Sequence, residues 1–449
     1  MKKNKSGFTL IELLAVIVIL AVILVIAVPR ILDVIETSKK DSFKNAAQLI
    51  ADSAEKKKAS NKLLDKDEEI TCKDVAKIND EDYKSCIISF DSEGNAKVNI
   101  TGKGKFKGLK ITNGTKENAE VKEITKPTYG MKATEYITNL LDYDGEGLKI
   151  DNTVDANIRY YGANPNNYVS FNNELWRIIG VFGNNVKLIR KDNLGSLVWD
   201  SSDESVNSGY GINQWGESTY KNGTSYPGSD LMQYLNKMYY GGDTTITCYG
   251  GQSNTEKTCP KDSKGNFLTI DETYKSLIDN HTWNTGAIEW GKRTDTLAFY
   301  QAERGTKTGK ICANGDYCND TVIRTTEWTG YVAIPYVTDW AYASSESICE
   351  TRLDEGDIDF ENDIRNMTCR NNNWINYGDS MSETTFVLTP SIYSDAAYFI
   401  FSISGDGVVE STNVSRDISV FPSIYLKSNV LIESGNGSES DPYILKFNS

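Results

Sequence analysis

The sequence predicts an α+β fold in two parts, a long N-terminal helix with a small antiparallel sheet and then a larger domain rich in strands and loops. Three observations support this division. An apolar run near the N-terminus continues into an amphipathic pattern, short runs rich in β-branched residues follow it, and all eight tryptophans lie between Trp176 and Trp374. At 449 residues the chain is long enough for two or three domains.

The first element is an apolar helix from Phe8 to Pro29, which at ~1.5 Å per residue is about 33 Å long and matches a bilayer core of ~30 Å. Three lysines precede it within residues 1–7. Because positive charge stays on the cytoplasmic side, we expect a single crossing by residues 8–29 with everything downstream outside.

Glu12 is the unusual residue in this run. A cleaved secretory signal peptide and an uncleaved membrane anchor both fit the apolar pattern, but neither needs a carboxylate there. A charge at bilayer depth costs about 2.5–3.5 kcal/mol, so it is retained only where a partner charge compensates it.

The stretch "SGFTLIE" (residues 6–12) resembles the prepilin signature of type IV pilins and of the related secretion-system pseudopilins. The resemblance implies that a prepilin peptidase cuts after Gly7, removing residues 1–7, and that Phe8 becomes the N-methylated terminus. It also implies that Glu12 pairs with the terminal amine of a neighbouring subunit during assembly. Pro29 matches a proline that the family carries at this distance from the cut.

The next segment, residues 30–112, is the predicted pilin head. Apolar residues recur at helical spacing from Ile31 to Ala54, and "SCIISF", "AKVNITG" and "KFKGLKIT" are predicted strands. The resemblance implies that the helix packs on this small sheet. Residues 113–130 are polar, charged and rich in turn formers, which is typical of a linker.

The distal domain is predicted to span residues 131–449. Within it, "YVSFNNELWRIIGVFGNNVKLIRKD" contains three β-rich runs separated by turn residues and predicts a meander. A short helix is expected in "SDLMQYLNKMYY", capped by Ser229 or Asp230. The stretch "TTEWTGYVAIPYVTDWAYASS" and the later β-rich runs continue the pattern of strands and turns.

Residues 135–445 resemble a domain that recurs in cell-surface and pilin-like proteins of Gram-positive bacteria. The resemblance depends on "FNNELWRIIG" (171–180), on "ERG" (303–305) and on the strand and polar turn near the C-terminus. It implies the C-type-lectin-like fold that formylglycine-generating enzymes share. The sequence departs from the pattern at Phe421, where such domains more often carry arginine.

Eight cysteines occur as four pairs of near neighbours in sequence, which predicts four disulfides and an oxidising, extracytoplasmic environment. The alternative of a zinc site is disfavoured because no C-x-x-C is present. The expected pairs are Cys72 with Cys86, Cys248 with Cys259, Cys312 with Cys318, and Cys349 with Cys369.

Sequence features for catalysis are weak, and no catalytic residue or cofactor is predicted. His281 is the only histidine and lies in a turn-like context, whereas a nucleophile would need it as a base. Paired carboxylates among Glu289, Glu303 and Glu327 stay open as an alternative. One metal hypothesis remains, calcium at Asp354, Asp357 and Asp359 in an acidic loop.

We therefore expect a minor or tip subunit that assembles through its N-terminal helix and presents an adhesive domain. A net charge of −14 argues against nucleic acid as a partner. The expected partners are other pilin subunits, the prepilin peptidase, the membrane, and a glycan or matrix protein. The expected location is the cytoplasmic membrane and then the cell surface. Two alternatives are a pseudopilin for type II secretion or DNA uptake and a membrane-anchored extracellular enzyme.

Overall fold

The computed structural model separates the chain into two compact units. The first unit comprises Met1–Lys126 with Asp142–Gly145, and the second comprises Pro127–Leu141 with Glu146–Ser449. The structure describes residues 10–64, 70–76, 81–91, 93–143, 145–201, 211–220, 223, 225–250, 255–289, 295–305, 322–323, 325–351, 353, 368–375, 384–392, 398–405 and 407–447.

The first unit is built on helix α1 (Leu10–Leu63), which contains Pro29. The C-terminal half of the helix buries one face, because small and apolar residues recur there every three or four positions. These buried residues are Phe43, Ala47, Ile50, Ala51 and Ala54.

A four-stranded antiparallel sheet covers that face. Its strands, in spatial order, are β1 (Tyr83–Phe90), β2 (Ala96–Gly102), β3 (Leu109–Gly114) and β4 (Lys122–Glu123). Alternate residues of the inner strands, such as Val98, Ile100 and Ile111, are buried in one cluster with the α1 face. The predicted helix and three strands are thus present, and their packing follows from the two hydrophobic periodicities.

The boundary between the units differs from the predicted linker at 113–130. Residues 113–126 stay in the first unit because Lys122 and Glu123 extend its sheet and Ala119 is buried in its core. Residues 127–130 belong to the second unit, where the Gly130 amide donates to the Ile432 carbonyl. Isolated apolar residues in a polar sequence therefore anchored both ends of the segment.

The remaining elements form mixed sheets with short helices. The helices are α2 (Cys72–Val75), α3 (Ala133–Tyr143), α4 (Asp230–Gln233), α5 (Glu272–Lys275), α6 (Thr296–Glu303), α7 (Val337–Tyr342) and α8 (Ile348–Thr351). The strands are β5 (Leu148–Ile150), β6 (Ile158–Tyr160), β7 (Tyr168–Phe171), β8 (Glu174–Phe182), β9 (Asn185–Arg190), β10 (Ser196–Leu197), β11 (Ser218–Tyr220), β12 (Ser225–Tyr226), β13 (Cys248–Gly250), β14 (Thr255–Lys257), β15 (His281–Asn284), β16 (Ile288–Glu289), β17 (Val322–Ile323), β18 (Glu327–Gly330), β19 (Val332–Ala333), β20 (Thr384–Ile392), β21 (Phe399–Ser404), β22 (Val409–Asn413), β23 (Ile418–Ser419), β24 (Ser423–Leu426), β25 (Val430–Ser434) and β26 (Tyr443–Phe447).

The largest sheet has the order β19-β24-β9-β8-β7-β26-β25, with β6 on β8 and β5 on β6. Its centre is the predicted meander of β7, β8 and β9. The β7–β8 turn is made by Asn172 and Asn173, both at positive φ (55° and 59°), a conformation that asparagine tolerates and a tight hairpin requires. A second sheet, β10-β23-β20-β21-β22 with β16 on β20, completes the main layers.

Helix α7 replaces part of the predicted strand-and-turn region. Asp339 causes this difference, since its carboxylate accepts a hydrogen bond from the Tyr336 amide at the start of the helix, 3.0 Å away. This is a helix-capping interaction made by the third residue of the helix. The predicted helix at Ser229 is present, and the Ser229 hydroxyl accepts from the Met232 amide.

Tryptophan side chains form the core of the second unit. Trp176, Trp199, Trp215 and Trp283 are fully buried, and Trp199 meets Trp215 edge to face at 5.0 Å. Aromatic pairs of this geometry stabilise a core by about 0.5–1.5 kcal/mol beyond their buried area. These rings therefore stabilise the unit and are not presented to a ligand.

The Cys72–Cys86 disulfide ties α2 to β1 across 14 residues. Replacing both cysteines with alanine should lower the stability of the first unit by about 3 kcal/mol, because a loop of ~15 residues regains its entropy in the unfolded chain. We expect faster amide hydrogen exchange in β1 and β2. Tryptophan fluorescence, which reports the second unit alone because every tryptophan lies there, should keep its denaturation midpoint; a shift of that midpoint instead would contradict the division.

Candidate functional site

The N-terminal motif lies at the edge of the described structure. Gly7 and Phe8 are outside the described residues, and Glu12 lies in α1 with its side chain undescribed. The neighbouring apolar side chains are exposed: Leu14 by 61%, for example, and Val25 by 74%. An apolar surface of this extent marks a contact with lipid or with another protein.

No helix among the described residues has the combined length and hydropathy that a membrane crossing requires. The expected span at 8–29 includes residues 8 and 9, which lie outside the description, and several side chains of α1 that the structure leaves out.

The cysteines are the next group of predicted site residues. Disulfides join Cys72 to Cys86, Cys248 to Cys259, and Cys349 to Cys369, with Cα–Cα distances of 6.1, 5.1 and 5.5 Å. Cys312 and Cys318 lie outside the described residues, as do the proposed calcium ligands Asp354, Asp357 and Asp359. Within the described ranges no group of histidines, cysteines or acids is arranged to hold a metal ion.

The interior of the second unit contains four charged side chains that bond to one another, here called the Asp339 network: Asp151, Arg159, Lys187 and Asp339. Asp339 accepts from Arg159 Nη1 at 2.8 Å and from Lys187 Nζ at 2.5 Å. Arg159 Nε donates to Asp151 at 2.9 Å. Two acids and two bases balance, so the almost completely buried network carries no net charge of its own.

Burial and mutual attraction act against each other in the Asp339 network. Burial alone would raise the pKa of Asp339, but Lys187 and Arg159 outweigh it and the pKa is lowered. For Lys187, burial dominates and lowers the pKa to about 8 despite Asp339. At neutral pH both groups remain charged, and the ion pair stays intact.

Glu303, from the predicted "ERG" segment, is fully buried beside this network. Its carboxyl oxygens accept from the hydroxyls of Thr338 at 2.7 Å and Thr389 at 3.0 Å. Burial raises the pKa of Glu303 to about 7, although Arg304 and the two threonines lower it. The two hydrogen bonds of this carboxyl group join α6 to α7 and to β20.

The other candidate catalytic residues lie on different elements from Glu303. Glu327 is exposed on β18, and the side chain of Glu289 lies outside the described residues. His281 lies on β15, not in the turn expected for it, because its ring stacks on Tyr425 at 3.7 Å. Burial lowers its pKa, although Asp279, 3.1 Å away, opposes that shift.

A cavity of about 300 Å³ opens beside β8 and β9 and is here called the Arg177 cavity. Arg177 lies opposite Ile189 in the sheet, and Ile189 lies opposite Ser423. The cavity is lined by Arg177, Ile189, Arg190, Lys191, Asp192, Trp374, Ile375 and Phe421. Phe421, where the sequence departed from its resemblance, thus provides part of the wall.

The Arg177 guanidinium lies between two rings, 4.1 Å from the centroid of Tyr168 and 4.6 Å from that of Trp374. All its hydrogen-bond acceptors are neutral. They are the side-chain oxygens of Asn167 and Asn164 and the carbonyls of Pro165 and Trp374, at 2.8 to 3.4 Å.

Other buried cations of the second unit have carboxylates beside them: Arg159 bonds to two, Lys187 to Asp339, and Arg190 to Glu174 at 2.6 Å. For Arg177, no carboxylate of the described chain lies within ion-pair distance. Burial accordingly lowers the pKa of Arg177 to about 10, with a weaker opposing effect of Tyr168 and Glu439. Among the described residues it therefore remains a buried positive charge without a counter-ion.

Sequence reasoning singled out the "FNNELWRIIG" stretch and "ERG", and the structure gives both a place around the core. It missed Lys187, Asp339 and Trp374. The available signal was polar residues inside apolar runs, Lys187 in "NVKLIR" and Asp339 in "YVTDWAY", which should have indicated paired burial.

Residues 2–28 match the family described as the prokaryotic N-terminal methylation motif. The match supports an N-terminus of the type IV pilin or pseudopilin kind. No curated protein and no solved structure matches the chain. The matched segment does not extend to the distal domain, whose resemblance to C-type-lectin-like domains stays a prediction.

Glu303 should make stability depend on pH. Folded Glu303 holds its proton up to pH about 7, whereas an unperturbed glutamate releases it near 4.5, so the folded state binds more protons between these values. The free energy of unfolding should therefore fall as pH rises from 5 to 7.5, by about 3 kcal/mol from this group.

The variant Glu303→Gln has no carboxyl group to titrate at this position. The unfolding free energy of the variant minus that of the parent should therefore rise by that amount as pH increases from 5 to 7.5. Chemical denaturation followed by tryptophan fluorescence measures it. Lys187 and His281 are present in both proteins, so their contributions cancel in the difference between the two unfolding free energies. The exposed Glu327→Gln should follow the parent curve, and parallel curves for Glu303→Gln and the parent would refute the assignment.

Proposed function

From an N-terminus of the type IV pilin or pseudopilin kind, we propose that this chain is a minor or tip subunit of a pilus-like fibre whose second unit binds a ligand at the cell surface. The observation that carries the proposal is the methylation motif at residues 2–28. The motif accounts for assembly into a fibre, and the second unit is a domain that this assembly does not require.

The two halves of α1 support the assembly role. From Phe43 onward one face of the helix is buried against its own sheet. Before that, exposed apolar side chains such as Leu20 and Ile31 have no core of their own. A helix of this kind gains stability from lipid before assembly and from neighbouring helices afterwards.

The second unit supports the role at a tip or at low abundance. Its roughly 320 residues, from Pro127 onward, outnumber those of the unit that carries the helix. A domain of this size on every subunit would crowd a fibre, whereas one at the tip is displayed freely. Disulfides and the buried tryptophans hold it rigid, which reduces the entropy lost on binding.

The proposal implies a sequence of locations. The chain is inserted in the cytoplasmic membrane through residues 8–29, is cut by a prepilin peptidase, and joins other subunits outside. The partners are those subunits and a glycan or matrix protein.

A pseudopilin of a type II secretion or DNA-uptake system is the second candidate, because the same motif favours it. Immunogold labelling of cells with an antibody to the second unit distinguishes the two. Label along or at the tip of surface fibres supports the pilus, and label confined to the envelope supports the pseudopilus.

Processing tests the assembly role directly. N-terminal sequencing of the membrane-extracted protein should begin at methylated Phe8, since the peptidase cuts after Gly7 and leaves the helix attached. A start near Val28, as ordinary signal peptidase would produce, would reject the pilin assignment.

The variant Glu12→Val should be processed normally yet enter fibres poorly, because the terminal amine of the neighbouring subunit loses its counter-charge in an apolar setting. Fibre content is measured by shearing and immunoblotting. Glu36→Val, which removes an exposed glutamate from the same helix, is the matched control and should assemble. Equal assembly of both variants would exclude the pairing role of Glu12.

Binding without turnover tests the second unit. The full chain in detergent should be retained on a panel of immobilised glycans and matrix proteins, and the ligands should be recovered chemically unchanged. Hydrolysis of a ligand that is lost in Glu289→Gln or Glu327→Gln would replace this proposal with an extracellular enzyme.

A further inference from the structure

We propose that the Arg177 cavity binds the carboxylate of an acidic sugar residue, with Arg177 and Lys191 as the recognising cations. This inference rests on the proposed function and names the ligand class of the second unit. The reason is that Arg177 has a charge and a hydrogen-bond donor that the described fold leaves uncompensated, and that both lie at an open cavity.

The sheet brings the cavity residues to one face. Side chains alternate along a strand, so Arg177 and its cross-strand partner Ile189 point the same way. Lys191 lies two positions after Ile189, and Phe421 lies two positions before Ser423, the cross-strand partner of Ile189. Both therefore continue the same row of side chains. Trp374 and Ile375 line the cavity from another segment.

The guanidinium has an unused donor. Arginine carries five N–H groups, and four hydrogen bonds join Arg177 to neighbours within the described chain. One Nη1 hydrogen therefore remains, on a group held planar by two aromatic rings. A fixed guanidinium loses little entropy when it binds a carboxylate, and charge-assisted bonds of this kind are the stronger ones.

Lys191 lies on the same row as Arg177 and is 36% exposed. It contacts Glu439 at 3.1 Å, and that exposed pair is weak enough to rearrange when an anion arrives. Asp192 adds an acceptor for sugar hydroxyls, while Trp374 and Phe421 supply apolar surface for the carbon face of a sugar ring.

The geometry favours a sugar over the C-terminus of a peptide. An extended peptide binds best by adding a strand to a free sheet edge. Here β8 and β9 lie inside the sheet and pair on both sides, so this cavity offers no such edge. Its volume of about 300 Å³ is at the small end for ligand sites, which suits one sugar residue of a longer glycan.

The test measures binding of the full chain in detergent to a glucuronate-containing tetrasaccharide and to the same tetrasaccharide with its carboxyls reduced to alcohols. The acidic form should bind about tenfold more tightly, because reduction removes one charge-assisted interaction. The affinity for the acidic form should fall with added salt, and that for the reduced form should not.

Two variants assign the effect to the cavity. Arg177→Lys keeps the charge but loses the planar fork, and it should remove most of the preference for the acidic form. Lys191→Gln, at the partly exposed position, should reduce that preference about threefold. Lys446→Gln is the matched control, since Lys446 is an exposed lysine paired with Glu433 outside the cavity, and it should bind as the parent does. Tryptophan fluorescence checks folding, and if Arg177→Lys does not fold, Lys191→Gln against Lys446→Gln decides.

The outcomes separate the two proposals. Preference for the acidic tetrasaccharide that depends on Arg177 and Lys191 supports both. Equal binding of the two tetrasaccharides overturns the cavity assignment and leaves the ligand-binding role intact. A preference for the acidic form that Lys191→Gln and Lys446→Gln both keep at the level of the parent has the same consequence. A carboxylate preference seen only with peptides that have a free C-terminus, and absent from amidated ones, also overturns the sugar assignment. Failure to bind any glycan, matrix protein or peptide removes both.

Discussion

Most of the second unit depends on the ion pairs and the hydrogen bond that the Asp339 carboxylate makes. One oxygen binds Arg159 of β6, and the other binds Lys187 of β9 and the amide that begins α7. Two strands and a helix, far apart in sequence, thus meet at one side chain. Because water cannot solvate these groups in the core, any arrangement that separated them would leave charges buried and unpaired, at a cost of about 3–5 kcal/mol. The network therefore specifies the packing of the helix on the sheet more strictly than apolar contacts alone would.

Helix α1 of the first unit follows the opposite principle. The packing around Phe43 and Ala47 is apolar, although Asn61 near the C-terminal end of the helix is also buried. Surface pairs such as Lys116 with Glu55 connect the helix to the loop between β3 and β4 from outside, where solvent screening keeps their contribution small. Hydrophobic contact is non-directional, so this packing needs no exact pairing of polar groups between the helix and the sheet.

Local patterns were sufficient for much of the fold. Runs rich in β-branched residues, bounded by turn residues, predicted β1, β2 and the β7–β9 meander, and the helical spacing from Ile31 to Ala54 predicted the buried half of α1. The segment 113–130, predicted as a linker, is divided between the two units, and α7 lies in a region predicted to contain strands and turns, because long-range partners decide both. Ala119 is buried by residues distant in sequence, and Asp339 caps a helix only because Arg159 and Lys187 hold it inside. The Arg177 cavity could not have been predicted either, because it requires the packing of Trp374 and Phe421 around β9.

Charge compensation also distinguishes the charged side chains that stabilise this fold from those that are available to other molecules. Arg159 and Lys187 find their carboxylates within the second unit, and their contribution is to its stability. Arg177 is equally enclosed but meets only neutral acceptors, and in the N-terminal motif Glu12 lies in an apolar helix where a charge is costly to leave unpaired. A charge in the protein interior or in an apolar helix is retained only if an opposite charge offsets the free-energy cost of removing it from water. Among the described residues no carboxylate offsets Arg177, and we propose the carboxylate of a ligand in that role; for Glu12, whose side chain lies outside the described residues, we propose the terminal amine of the next subunit.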